Sequence, residues 1–168
     1  MKIIFVFLFV VTFSSICNKS HAQSERETID WLTITLNKMR RDTEYTRMGY
    51  SAATGRDSVT KEMYLIIGLD ARSPKDNISA MVHVPLKRVV VCDNEEGDKL
   101  SILFITRTGT MDGLVVKNDE IFPMNYHSYK MLFENNEFNR SMMKRLVKAF
   151  QRLIKLAGGK VPEKGLFY

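Results

Sequence analysis

The sequence predicts an α+β domain: an N-terminal helix, then a mostly antiparallel bent sheet or small sandwich of six or seven strands, then a C-terminal amphipathic helix packed on it. Three observations carry this. Apolar residues between Ile29 and Met39 recur at helical spacing. From residue 44 to about residue 134 they alternate in short runs broken by turn residues. From Phe138 to Ala157 they return to a spacing of three and four. A period of 3.6 marks a helix with one buried stripe, and a period of two marks a half-buried strand.

The first helix is announced by Ser24-Glu25-Arg26-Glu27, a capping box in which the Ser oxygen takes an amide of the first turn and the Glu reaches back. Ile29, Leu32, Leu36 and Met39 form its stripe, Trp31 and Ile34 widen it, and it is expected to end near Asp42. In the first strand Met63, Leu65, Ile67 and Leu69 share one face. Ser73 to Asn77 is a turn cluster, after which Ile78, Ala80, Val82 and Val84 alternate again. Pro85 cannot donate to a ladder and marks a bend or an edge. Val89 to Cys92 and Leu100 to Thr106 flank a polar hairpin loop containing Gly97. Leu114 to Val116 and Ile121-Phe122 close the set, and such short turns imply antiparallel neighbours. In the last helix Asn135 and Asn136 offer N-cap oxygens, and Gly158-Gly159 offers a C-terminal stop.

The start of the chain reads as a secretion signal spanning residues 1–22. Met1-Lys2 supplies a positive charge, Ile3 to Val11 is unbroken apolar, and Ser20-His21-Ala22 is a small-x-small exit, so cleavage is expected before Gln23. The apolar run is shorter than the ~20 residues that a bilayer-spanning helix needs. Cys17 follows the bulky Ile16 where a lipoprotein signal carries a small residue, which disfavours lipidation. Residues 23–160 then form one domain, with an irregular tail at 161–168. The expected location is the periplasm or the outside of the cell.

Removing 22 of 168 residues leaves enough chain to bury a core. The leader carries Lys2 and Lys19 and no acid, so the formal net charge drops by two, from +6 to +4. That is mildly basic, short of a dedicated nucleic-acid binder, and no nucleic acid is expected as partner. Only Cys92 survives cleavage, so no internal disulfide can form. Its place after Val89-Val90-Val91 reads as a buried strand cysteine.

The string Val84-Pro85-Leu86-Lys87-Arg88-Val89, a polar hairpin, and then Leu100 to Phe104 resembles the middle of pleckstrin-homology-like and GRAM-like domains. In that fold a closing helix plugs one corner of a strand sandwich, and the resemblance runs from about residue 44 to residue 157, with the first helix as an addition. Separately, the leader with Glu27 to Leu32 and the ending Val147 to Lys160 is similar to small exported proteins of Bacteroidetes type, a similarity that brings no activity with it. No ligand-binding residue is carried over from either.

Reactive constellations are sparse. After the leader the only histidines are His83 and His127, no His-x-x-x-His or Cys-x-x-Cys spacing occurs, and no Gly-x-Ser-x-Gly elbow occurs. No catalytic, cofactor or metal residue is therefore named, and no cofactor is expected. A Cys92–His83 dyad and carboxylate chemistry at Glu95-Glu96, Asp98 or Asp119-Glu120 are weighed as the enzyme alternative. The most specific feature is basic: Arg140, Lys144, Lys148, Arg152 and Lys155 run down the last helix at a spacing of three and four, with Arg145 and Lys160 nearby. Two readings stand. One is an anion-recognising face for an acidic protein, glycan or lipid head group. The other is a solvated face that also complements the negative end of the helix dipole. The expectation is a non-catalytic binding module of the cell envelope. The alternatives are a small exported enzyme using carboxylates or Cys92, and a peripheral binder of acidic lipid.

Overall fold

The computed structural model describes residues 25–39, 41–42, 47–72 and 77–161. The expected leader with Cys17 and its cleavage site, the cap residue Ser24, most of the Ser73–Asn77 turn and the tail from Pro162 lie outside the described residues.

Helix α1 covers residues 25–38. It is followed by a two-residue strand β1 (Arg41–Asp42), then β2 (Arg47–Arg56), β3 (Met63–Arg72), β4 (Asn77–Pro85), a 3-10 turn at Leu86–Arg88, β5 (Val89–Glu96), β6 (Lys99–Thr106), β7 (Met111–Lys117), β8 (Glu120–Tyr126), β9 (Ser128–Glu134) and helix α2 (Glu137–Leu156). One sheet has the order β1-β2-β3-β4-β7-β8 and the other β5-β6-β9. Every pairing is antiparallel. The α+β architecture is the expected one, with a helix packed at each end of the chain.

Pro85 is a bend. It is the last residue of β4, opposite Tyr64, and the 3-10 turn after it carries the chain into the small sheet. The β5–β6 hairpin is laid down there, and β7 then returns beside β4, pairing Val82 with Gly113. The large sheet is thus interrupted in sequence and continuous in space.

Three expectations change. Among the described residues there are eight long strands, not six or seven. The two extra ones, β2 and β9, flank the segment whose alternation was strongest. Helix α1 stops at residue 38, because residues 41 and 42 pair with Met48 and Arg47 of β2 and no longer follow a helix. Ile34 does not widen the buried stripe: it is 57% exposed.

One core joins the two sheets and both helices. Leu32 and Leu36 of α1, with Met39 just past its end, belong to it, as do Met143, Leu146, Val147, Phe150, Leu153 and Ile154 of α2. Each such side chain contributes ~1.5–3 kcal/mol on burial, which is why α2 cannot stand free. The Phe150 ring meets the Phe104 ring of β6 edge-on, with centroids 5.0 Å apart. Asn136 caps α2, its side chain accepting from the Asn139 N–H at 2.8 Å. Gly158, at φ +77°, ends it, and its N–H reaches the Lys155 carbonyl at 3.0 Å. Helix α1 is tied to β2, with the Thr33 hydroxyl donating to the Ala52 carbonyl at 3.0 Å and the Thr54 hydroxyl donating to Glu25 at 3.0 Å.

Candidate functional site: a basic groove between the two helices

The core-facing stripes of α1 and α2 leave their outer flanks side by side, with an open groove of about 510 Å³ between them. Glu27, Thr28 and Trp31 come from α1, and Arg145, Lys148, Ala149 and Arg152 from α2. The Arg145 guanidinium lies over the Trp31 ring, 5.6 Å from its centroid. Its Nη1 is 3.9 Å from the Met142 sulfur. A cation over an indole face is attracted by the ring quadrupole, which holds the arginine along the groove. Trp31 and Ala149 are partly buried against the core and form a firm, apolar floor. The α2 wall is therefore cationic, the floor apolar, and the α1 wall carries one carboxylate, Glu27.

The five residues expected to form an anion-binding face separate into two groups. Arg140 is drawn away: its Nη2 is 2.8 Å from Asn135 Oδ1 and 3.5 Å from Glu95, at the tip of the β5–β6 hairpin. Lys148 and Arg152 line the groove. Lys144 and Lys155 lie exposed on the same helix. Among the described residues Lys144, Lys148 and Lys155 make no ion pair. Arg145, only adjacent to the stripe in sequence, stands at the centre of the groove, and Trp31 opposite it was missed. The pairing of Trp31 with Arg145 spans 114 positions and has no signature in local spacing.

Other concavities carry different chemistry. On the outer face of the large sheet, small residues such as Ala53, Gly68 and Ser79 form the bed of an apolar trough of about 450 Å³, rimmed by Met81, Leu114 and Ile121. No charged side chain lines it. A polar cleft of about 210 Å³ gathers Glu62, Tyr64, His83, Arg88 and Asp112. His83 and Asp112 are cross-strand partners, and the His83 ring stacks on Tyr64 at 5.1 Å. Glu62 pairs with Arg88 at 3.7 Å. Asp57, on the same rim, accepts from the amides of Val59 (2.9 Å) and Thr60 (2.7 Å). Those hydrogen bonds hold its carboxyl below the usual range. Glu62, Arg88 and Asp57 thus have structural roles, and among the described residues no three His, Cys, Asp or Glu side chains converge as metal ligands.

Cys92 is half-buried, not buried, and its sulfur lies 4.0 Å from the Leu103 carbonyl. Burial, with Asp93 alongside, pushes its thiol up, away from the thiolate that a nucleophile needs. His83 belongs to the other sheet, and His127 sits at the β8–β9 corner with its carbonyl accepting from Thr106. Of the turn carboxylates, Glu95 pairs with Arg140 and Glu96 with Lys130. No helix among the described residues is long and apolar enough to cross a membrane. No protein-family model matches the chain, and neither a curated protein nor a solved structure matches it.

Proposed function

We propose that this chain is a non-catalytic binding module, exported to the periplasm or cell surface, that recognises an acidic partner through the groove between α1 and α2. The observation that supports this reading is the convergence of Arg145, Lys148 and Arg152 beside Trp31 in one open groove. Exposed cations on a firm apolar floor favour a ligand that brings negative charge, and salt weakens such binding because the charges are solvent-exposed. A two-sheet body closed by a C-terminal helix is also what the pleckstrin-homology-like resemblance implies, and the two readings belong to one proposal.

The test is direct binding of three acidic probes, namely heparin, polyglutamate and vesicles containing phosphatidylglycerol, at low and high salt. At least one is expected to bind at low salt, to be released at high salt, and to bind the Lys148→Glu variant at least roughly tenfold more weakly, a loss of about 1.4 kcal/mol. Indifference of the chain to all three removes the proposal. The enzyme alternative keeps one feature in its favour, the gathering of His83, Glu62 and Asp112 in the polar cleft. An activity lost on His83→Ala with the fold intact would establish it instead.

A further inference from the structure

We infer that the occupant of this groove is an acidic segment of a partner protein, with aspartates or glutamates interleaved with apolar side chains. This rests on the anion-binding reading above and narrows it to one chemical class.

Three features of the groove select among acidic partners. The first is its composition. A cationic wall stands beside an apolar floor of Trp31 and Ala149. A sulfated or uronic glycan brings charge but no aliphatic side chain to cover that floor. A peptide with both acidic and apolar residues satisfies wall and floor together. The second is shape. The site is a furrow between two helices, which suits a rod and not the plane of a bilayer, and Glu27 on its α1 wall would be held against anionic head groups. The same Glu27 suits a peptide, because it offers one acceptor for a partner lysine or amide and so sets direction. The third is spacing. Arg145, Lys148 and Arg152 are three and seven residues apart on one helix. At 1.5 Å per residue they stand roughly 4.5 and 10.5 Å along its axis. Carboxylates one and two turns apart on an amphipathic helix fall at the same intervals, with their apolar neighbours turned toward Trp31. Arg145 can take a carboxylate through two N–H groups.

Trp31 is the only tryptophan of the chain, so its emission reports on this groove alone. The experiment uses the chain from Gln23 onward, which holds every described element. Short random peptides displayed on phage are selected against it. The recovered peptides are synthesised and titrated while Trp31 fluorescence is followed. Expected are peptides with two or more acidic residues separated by Leu, Ile, Phe or Met. They should shift the Trp31 emission and lose roughly tenfold or more in affinity to Lys148→Glu and, separately, to Arg145→Gln, with circular dichroism confirming that both variants are folded. Peptides without acids, acidic peptides without apolar residues, binding that leaves Trp31 emission unchanged, or no recovered peptide would each overturn the inference. If heparin or anionic vesicles shift Trp31 while peptides do not, the groove binds anions but not an acidic protein segment. If none of them does, the anion-binding reading falls as well.

Discussion

The hydroxyl of Tyr50, on β2 of the large sheet, accepts a hydrogen bond from the backbone N–H of Leu132, on β9 of the small sheet, at 2.9 Å. This bond crosses from one sheet to the other. Leu132 lies on a strand paired only with β6, so its amide is an edge donor that would otherwise be left without a partner at a part-buried site. The Tyr50 ring is 6% exposed and tilts against Phe133 at 5.3 Å. Tyr50→Phe keeps the ring and removes the acceptor. A donor stranded in this way costs roughly 1–3 kcal/mol, and urea unfolding of the variant should show a loss in that range. An unchanged midpoint would mean that water reaches Leu132.

The same burial has a signature at high pH. Desolvation raises the Tyr50 hydroxyl above its ordinary value of 10.0, against a smaller opposing effect from the Leu132 amide. Tyr129 is raised further, by burial first and then by its neighbours Tyr50 and Tyr126. Groups raised in the folded state hold their protons more tightly there than in the unfolded chain. Their contribution is present below pH 10 and is lost as pH climbs beyond it. Tyrosinate absorbance should therefore rise in two steps, the later one coinciding with unfolding. Tyr129→Phe should shrink the later step.

Docking of α2 can be tested by contrast within one helix. Phe150 is fully buried against Phe104, and Phe138, twelve residues earlier, is 45% exposed. Phe150→Ala should cost about 3–5 kcal/mol, through lost transfer energy and the cavity left behind. Phe138→Ala should stay within about 0.5 kcal/mol. Equal and small effects in denaturant unfolding would mean that the helix does not pack on β5 and β6.

Cys92 separates the binding reading from a thiol enzyme. Its thiol is raised by burial and by Asp93 above an ordinary value of 9.0. Alkylation by iodoacetamide should be slow at neutral pH and should accelerate only as pH passes that value. Cys92→Ala should leave anion binding unchanged. Fast alkylation at neutral pH would point to a thiolate and to chemistry.

The regular elements were legible in the sequence because their signals are local. Met63, Leu65 and Ile67 alternate because alternate residues of a strand face one side, and all three are buried. The α2 stripe was legible for the same reason with a period of 3.6. Strand β2 was not, since Gly49, Ser51, Ala53 and Gly55 make one of its faces nearly featureless. Its pairing with β3 over ten residues comes from its neighbour's strength and not from its own composition. Strand β9 does alternate Tyr129, Met131 and Phe133, but that signal sits between two polar corners and is short.

The candidate site divides along the same line. Composition and spacing by themselves determined the α+β class, the inward stripe of α2 and the basic flank opposite it, because each is a property of consecutive residues along one element. Only the tertiary structure decided that Arg140 is taken by Glu95 while Arg145, Lys148 and Arg152 stand beside Trp31. The physical reason is that a groove belongs to two helices at once. It exists only after a shared core has set the flank of α1 against that of α2, and no periodicity within either helix encodes that distance.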